Sequence, residues 1–409
     1  METAPDLNHP DFIADPHAVY CRLRTEEPVH WNPSLRGWVI TRYADVSKAL
    51  KDPRLSVAKL QPFLDHAAPE THRKVERVSA VLANWMVFND PPRHERLRKA
   101  LAKYFMPQEV ARLRPLILQR VEELIEGFRG RDRIAPPVDF IKSFASPLPA
   151  RVISDLFGIP KERIGDLRTW SENLKDFVAL ARATPNKYDR AKAAADEMVA
   201  FFRETLHDHR RNPRDDLTSR LLEAEAGPEG LSEDEMVSTL ILLLFAGHET
   251  TASLLANGLY WLLRNPASVE ALRRNRSLIP GAVEEMLRYE GPAQTMTWIA
   301  AEDLQLGGAD IRRGERVFLA LNSAARDSAV FPDPDLFKID RSNNRHIAFG
   351  LGIHFCLGAP LARLEAQIAF DRLLSRLSGI RLETHQPVWH DELVTRSMER
   401  LVISYDIAA

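Results

Sequence analysis

The chain has 409 residues, 45% of them hydrophobic and 27% charged, with a formal net charge of −2. That balance supports a large apolar core and excludes a general affinity for nucleic acid. The only cysteines, Cys21 and Cys356, stand too far apart for a cysteine-cluster metal site and suggest no disulfide framework, which fits a reducing, cytoplasmic setting.

Residues 1–10 are polar and acidic, without the apolar core of a signal peptide. The longest apolar run, residues 240–246, is far below the ~20 residues that span a bilayer. A soluble protein with no membrane association is expected.

Residues 16–24 read as helix, with Cys21 a small packed side chain. Residues 37–41 read as a strand and 43–51 as a helix. Residues 57–89 have no clear period and carry Pro62, Trp85, Met86 and Phe88. Asp90-Pro91-Pro92 opens a helix through His94, Leu97, Leu101 and Tyr104. His94 and Arg98, four apart, share a face, which on its own reads as a solvated basic surface. Residues 108–126, 148–157, 161–180 and 188–210 show apolar spacing near 3.6, with 181–186 a joint between the last two.

Ser232 and Glu235 form a capping box. The apolar pattern then runs through Met236, Leu240, Leu243 and Leu244 to Leu255 and Leu259. Its centre is Ala246-Gly247-His248-Glu249-Thr250-Thr251. A glycine there costs up to ~1 kcal/mol relative to alanine, and an acid with two β-branched hydroxyl residues adds to a locally poor helix that needs a reason. One reading is a tolerated kink, with Thr250 bonded to a backbone carbonyl and Glu249 facing solvent. Residues 280–289 form a short helix stopped by Gly291-Pro292, with Glu285 and Arg288 as i,i+3 neighbours.

Residues 349–360 begin as a glycine-rich loop and end as a helix with Leu357, Leu361, Leu364 and Ile368 in a stripe and Gly379 as its stop. Cys356 lies at the helix start, where free N–H groups and the dipole favour a thiolate. Such a thiolate suits haem iron. Gly350 and Gly352 allow positive φ, Gly358 permits close approach of a flat ligand, and His354 is placed to donate to a carboxylate at its edge. Residues 382–407 alternate in places and read as strands with a turn.

Phe349-Gly350-x-Gly352-x-His354-x-Cys356-x-Gly358 resembles the haem-ligand loop of the cytochrome P-450 superfamily, soluble bacterial type. The resemblance implies a mainly α fold with small β-sheets, a single domain over residues 1–409, and haem b (iron protoporphyrin IX) between the long central helix and the cysteine helix. Cys356 would be the axial thiolate, within a cofactor loop that includes Phe349 and Gly350. The Asp-Pro-Pro, His, Arg pattern implies that His94 and Arg98 bind a propionate. Ala246-Gly247-x-Glu249-Thr250 resembles the oxygen-binding groove: Ala246 and Gly247 leave room for O2, Thr250 hydrogen-bonds it when activated, and Glu249 relays protons. Glu285, Arg288 and Arg341 would form a structural network holding the haem loop.

By the same resemblance, residues 57–89 cover the substrate pocket, the helices around 165–205 form its lid, and the turn near Ser397 and Met398 points into it. By position, Phe88, Leu243, Ala246, Gln294, Met296 and Met398 line it. Two departures stand out. Trp298 occupies a place where many bacterial members have a propionate-binding arginine, and Ala325 stands where asparagine is common. With that charge missing, Arg98, His94 and His354 would carry more of the propionate clamp.

No Rossmann or P-loop fingerprint appears, so electrons would come from an external ferredoxin or flavodoxin with its reductase. Arg96, Lys99, Lys103 and Arg345 are candidate docking cations on the Cys356 side. The expected activity is haem-thiolate monooxygenation by a monomer: one oxygen atom from O2 enters a small or medium apolar molecule by hydroxylation, epoxidation or O-dealkylation. Peroxide-driven oxidation or oxidative coupling on the same haem, and a non-catalytic haem sensor or carrier, are the alternatives. The Glu249-Thr250 pair argues for the dioxygen route.

Overall fold

The helix Glu233–Leu263 is the axis of the architecture. It starts at a complete capping box, in which Ser232 Oγ accepts from the Glu235 amide and the Glu235 carboxylate accepts from the Ser232 amide. Residues 236–244 are all buried, so this helix is covered on every side rather than along one stripe. Helices Pro147–Leu156, Ile164–Val178, Lys187–Arg211, Ile279–Glu290 and Ala359–Arg376 pack around it. It is long and apolar enough to cross a membrane, yet 67% of its most apolar window lies inside the fold, as in a core helix. The computed structural model describes residues 7, 9–66, 68–128, 137–180, 184–223, 225 and 230–407.

Three small sheets flank the helices. Strands β1 (Val29–Asn32), β2 (Gly37–Ile40), β3 (Leu55–Ser56), β5 (Thr295–Ala300) and β8 (Arg316–Ala320) form one, in the order β1-β2-β8-β5-β3. It buries Ile40, Leu55, Trp298, Val317 and Leu319 in an apolar cluster of its own. Strands β4 (Val138–Asp139), β9 (Leu377–Leu382) and β10 (Val402–Ile407) make the second sheet, and β6 (Leu304–Leu306) with β7 (Ala309–Ile311) the third. Helix starts near the site use proline in the first turn, at Pro69, Pro147, Pro280 and Pro360, where its missing N–H has no helical partner to lose.

Several expectations are corrected. Residues 57–89 hold two α-helices, Leu60–His66 and Pro69–Leu82, and a 3-10 turn, Met86–Phe88. The second buries Val75, Val78 and Leu82 at helical spacing, a signal hidden by the charges between them. Residues 108–126 are two helices, Pro107–Ala111 and Arg114–Phe128. Between the proposed lid helices, Leu180 and Asn186 adopt positive φ, while 181–183 lie outside the described residues, as do 1–6. The strands expected over 382–407 are shorter: β9 ends at Leu382, and the connection to β10 holds only isolated bridges, Ala293 to Thr395 and Trp389 to Met398. Gly379 does not stop the last helix, which ends at Arg376. Gly379 lies in β9 with φ 51°, where a Cβ would come within 2.1 Å of Asp406 Oδ2. Cys21 is exposed rather than packed.

Candidate active site

The loop before the last helix turns tightly about its glycines. Gly350 and Gly352 have φ of 69° and 71°, a region costly for residues with a Cβ. The amide of Gly350 donates to Ile347 O, and that of Cys356 to Phe349 O, both at 2.9 Å. The helix starts at Ala359 with Gly358 as N-cap, so Cys356 is just ahead of it. The amides of Gly358 and Ala359 donate to the Cys356 sulfur. Burial nevertheless pushes the thiol above its ordinary pKa, against those amides and the guanidiniums of Arg98 and Arg363. The helix end alone therefore does not make the thiolate; a bound metal would, because it deprotonates a coordinating thiol outright.

The loop is anchored from two adjacent carboxylates. Glu285 and Arg288 are both fully buried and joined by two 2.7 Å bonds. Arg341 adds two bonds to Glu285, and the Lys338 amide and Asn344 side chain add one each. Arg288 also holds the carbonyls of Ala325, Pro334 and Leu336. At position 325 this contact uses only the backbone, so alanine serves there. The sequence reading missed the neighbouring Glu284, which binds Arg363 at 2.7 and 2.8 Å and His346 at 3.0 Å. Those contacts, opposing burial, hold its carboxyl down at about 2. The Arg363 guanidinium also lies 4.5 Å from the Phe349 ring centroid. Two consecutive glutamates on a half-buried helix were the available signal.

Arg98, His94, His354 and Trp298 meet beside the loop. Arg98 Nη2 donates to Phe355 O at 2.8 Å. The His94 and His354 rings are 4.2 Å apart, and Trp298 stands edge-on to His354 at 5.7 Å. Burial lowers both imidazole pKa values, that of His354 to about 4. Both His94 ring nitrogens are buried without a hydrogen-bond partner. Such an orphan costs about 1–3 kcal/mol, and a carboxylate is a matching acceptor.

Gly358 is a second sign of a ligand. Its φ is −80° and a Cβ there would meet no protein atom within 4 Å, so neither backbone nor packing among the described residues demands glycine. These features fit an iron porphyrin with sulfur ligation: Cys356 for the metal, Gly358 for close approach of a plane, His94, His354 and Arg98 for propionates.

Helix Glu233–Leu263 packs against the helix that follows the cysteine, and its centre breaks its apolar rule. Ala246 is exposed although 240–244 are buried. Thr250 Oγ1 donates to Ala246 O at 2.6 Å. Gly247 belongs to another face: a Cβ there would come within 2.9 Å of Ile153 Cδ1. Helix packing therefore gives Gly247 a reason of its own, beside the expected role of leaving room for O2. Glu249 does not face solvent. Ser171 donates to it at 3.3 Å, Lys175 lies 3.9 Å away, and His248 Nδ1 3.1 Å. These partners overcome burial and hold its carboxyl at about 2. His248 also meets Ser146 Oγ at 3.0 Å.

The other positions scatter around this centre. Phe88 stacks on Trp85, which stacks on Phe245 beside Ala246. Leu243 and Met398 are buried in the main core. Met296 reaches the haem loop, its Cε 3.3 Å from where a Cβ on Gly350 would be. Gln294 is 4% exposed with Oε1 unpartnered. Of the candidate docking cations, Arg96 is committed: it pairs with Glu235 and donates to Gly230 O at 3.2 Å.

A cysteine loop heading a helix that packs on a long central helix with a threonine-centred break, in a helical fold with small sheets, defines a haem-thiolate oxygenase. The family model for cytochrome P450 matches residues 65–398, and the chain belongs to that family. It is 41% identical to cytochrome P450 107B1 of Saccharopolyspora erythraea, over 98% of each chain. It is 37% identical to cytochrome P450 monooxygenase PikC of Streptomyces venezuelae, over 97% of this chain and 92% of that one. The structure of the myxobacterial cytochrome P450 CYP267B1 in complex with myristic acid superposes with a TM-score of 0.87, at 39% identity, over 98% of this chain and 99% of that one. The protein is a bacterial-type P450 monooxygenase, and its cofactor is haem b.

Proposed function

We propose that this chain is a single-domain, monomeric, cytoplasmic monooxygenase that hydroxylates, epoxidises or O-dealkylates a small or medium apolar molecule with electrons from a ferredoxin or flavodoxin. The observation that carries the reading is the Cys356 sulfur, held by the Gly358 and Ala359 amides at the head of a helix that packs against the central helix, whose apolar run breaks at exposed Ala246 and half-buried Thr250. Haem, when bound through Cys356, supplies the O2 activation and the oxidising power. The aromatic wall of Phe88, Trp85 and Phe245 suits an apolar substrate.

The chain's own groups have separable tasks. The Thr250 hydroxyl donates its hydrogen bond to Ala246 O, so its oxygen remains an acceptor toward the groove, and turning its O–H toward the groove requires breaking that one bond. Glu249 stays ionised at neutral pH, so it acts as the charge that draws protons through Ser171 and Lys175 and not as a stored acid. Arg98, His94 and His354 hold propionates. The bonds from Glu284 and Glu285 fix the loop before the cofactor arrives, which is preorganisation.

The test is spectral. Reduced protein with carbon monoxide shows the red-shifted Soret band of thiolate ligation, and Cys356→Ser abolishes it; a histidine-type band in the native chain would overturn the ligand assignment. Comparing turnover with hydrogen peroxide against reduced ferredoxin separates the dioxygen route from the peroxide route.

A further inference from the structure

Among the described residues Lys59 has no counter-ion, and it sits beside Thr297 and Phe88, next to the candidate haem-pocket residues. It follows β3 and precedes helix Leu60–His66, a place where a lysine side chain ordinarily runs out to water. Here it turns inward. Its Nζ donates to Thr297 O at 3.1 Å and lies 5.1 Å from the Phe88 ring centroid. Thr297 is the residue before Trp298, and Phe88 begins the aromatic wall leading to Phe245 and Ala246.

The segment is held there deliberately. Asp90 accepts from Ser56 Oγ and from the Val57 amide at 3.0 Å. Asp90 also stands at the head of helix Arg93–Ala102, which carries His94 and Arg98. One carboxylate therefore ties the Lys59 loop to the element that supplies two other candidate propionate ligands. No carboxylate of the described residues lies within ion-pair distance of Lys59. Burial alone lowers its pKa to about 8, so the ammonium is still charged at neutral pH. A desolvated charge with one carbonyl and one ring face for company is poorly compensated. A ligand carboxylate would complete its coordination with a charge-assisted bond.

We propose that Lys59 is a carboxylate-binding residue of this pocket and supplies the positive charge that Trp298 cannot. Two molecules bring that chemistry to the same place: haem, through a propionate, and a substrate with an acidic end. The inference rests on the haem-pocket reading, and the carbon monoxide band of the native chain tests that reading separately.

The experiment uses the full-length holoprotein and its Lys59→Met, Lys59→Gln and Lys59→Arg variants. Glutamine retains a donor for Thr297 O, so it removes charge with least disturbance if methionine does not fold. Haem loss to excess apomyoglobin is measured without turnover, with haem b and with its dimethyl ester. The low- to high-spin shift is titrated with palmitic acid and with methyl palmitate.

If the propionate is the partner, the neutral variants lose haem b roughly five-fold faster or more, arginine rescues, and the difference vanishes with the dimethyl ester. If the substrate is the partner, haem loss is unchanged, and the native preference for the acid over the ester falls by about five-fold or more in the neutral variants. Haem loss and acid preference both unchanged in Lys59→Met or Lys59→Gln would overturn the proposal.

Discussion

Glu284 grips Arg363 through two bonds of 2.7 and 2.8 Å, so helix Ile279–Glu290 is locked to helix Ala359–Arg376, which follows the haem loop. The same carboxylate takes His346, and Glu285, next in sequence, takes Arg288 and Arg341. The cysteine is thus held by its surroundings and not by the loop's own backbone alone.

A pH dependence follows from Glu284. Its folded pKa, about 2, is below the unfolded value of 4.5. The stabilisation is therefore present above about pH 4.5 and disappears as pH falls toward 2. The group is partly exposed, which reduces the effect. Glu284→Gln is expected to cost about 1–3 kcal/mol at pH 7 and to flatten the acid limb. Urea unfolding at pH 7 and pH 4 measures both, and an unchanged midpoint at pH 7 would remove the bridge from the account.

Glu365 has the opposite sign. It lies on helix Ala359–Arg376, is 1% exposed, and has Oε2 buried without a partner. Burial raises its pKa to about 8. Unfolded chain ionises above 4.5 while folded protein resists until about 8, so stability falls as pH rises between those values. At pH 8 the penalty is on the order of 4 kcal/mol. Glu365→Gln is expected to remove most of this slope and to gain about 3 kcal/mol relative to the native chain at pH 8, with a change of about 1 kcal/mol or less at pH 5. The same slope in both proteins would show that this carboxyl is not the source.

What the sequence displayed well were features that are local along the chain. The capping box at Ser232, the loop from Phe349 to Gly358 and the Glu285–Arg288 spacing depend on residues a few positions apart, so their chemistry is visible before folding. Gly379 was misread as a helix stop, and the packing role of Gly247 was invisible, because each glycine meets an atom distant in sequence, Asp406 and Ile153. The ion pair of Arg96 was hidden for the same reason, since its partner Glu235 is 139 positions away. Lys59 carried no signal at all: the sequence shows a lysine in a loop, and only the fold turns it inward beside Thr297.

The two cysteines should separate cleanly. Cys21 is exposed and Cys356 only partly so. In holoprotein a thiol-alkylating reagent is expected to modify Cys21 quickly and leave the spectrum intact, because Cys356 is engaged by the metal. Cys21→Ser should leave stability within about 0.5 kcal/mol. Mass spectrometry of the alkylated peptides decides it: rapid modification of Cys356 with haem retained would contradict sulfur ligation.

Thr250 gives the sharpest kinetic test. Its hydroxyl is bonded to Ala246 O at 2.6 Å, on the exposed face of an otherwise buried helix segment, so removing it costs little stability, about 1 kcal/mol or less. Its effect should fall on the fate of electrons. Without the hydroxyl oxygen as an acceptor in the groove, protons arrive without order and reduced oxygen leaves as hydrogen peroxide. Thr250→Ala is expected to consume cofactor at a rate within a few-fold of native while most electrons appear as peroxide. Thr250→Ser, which keeps the hydroxyl, should retain most of the coupling. The measurement is peroxide formed per NADPH oxidised, alongside product, with the same redox partner for all three proteins. Glu249, ionised at about 2, adds no carboxylate limb to this ratio between pH 5 and pH 8, so the contrast should persist across that range. Equal coupling in the alanine and native proteins would leave the hydroxyl as a helix contact and nothing more.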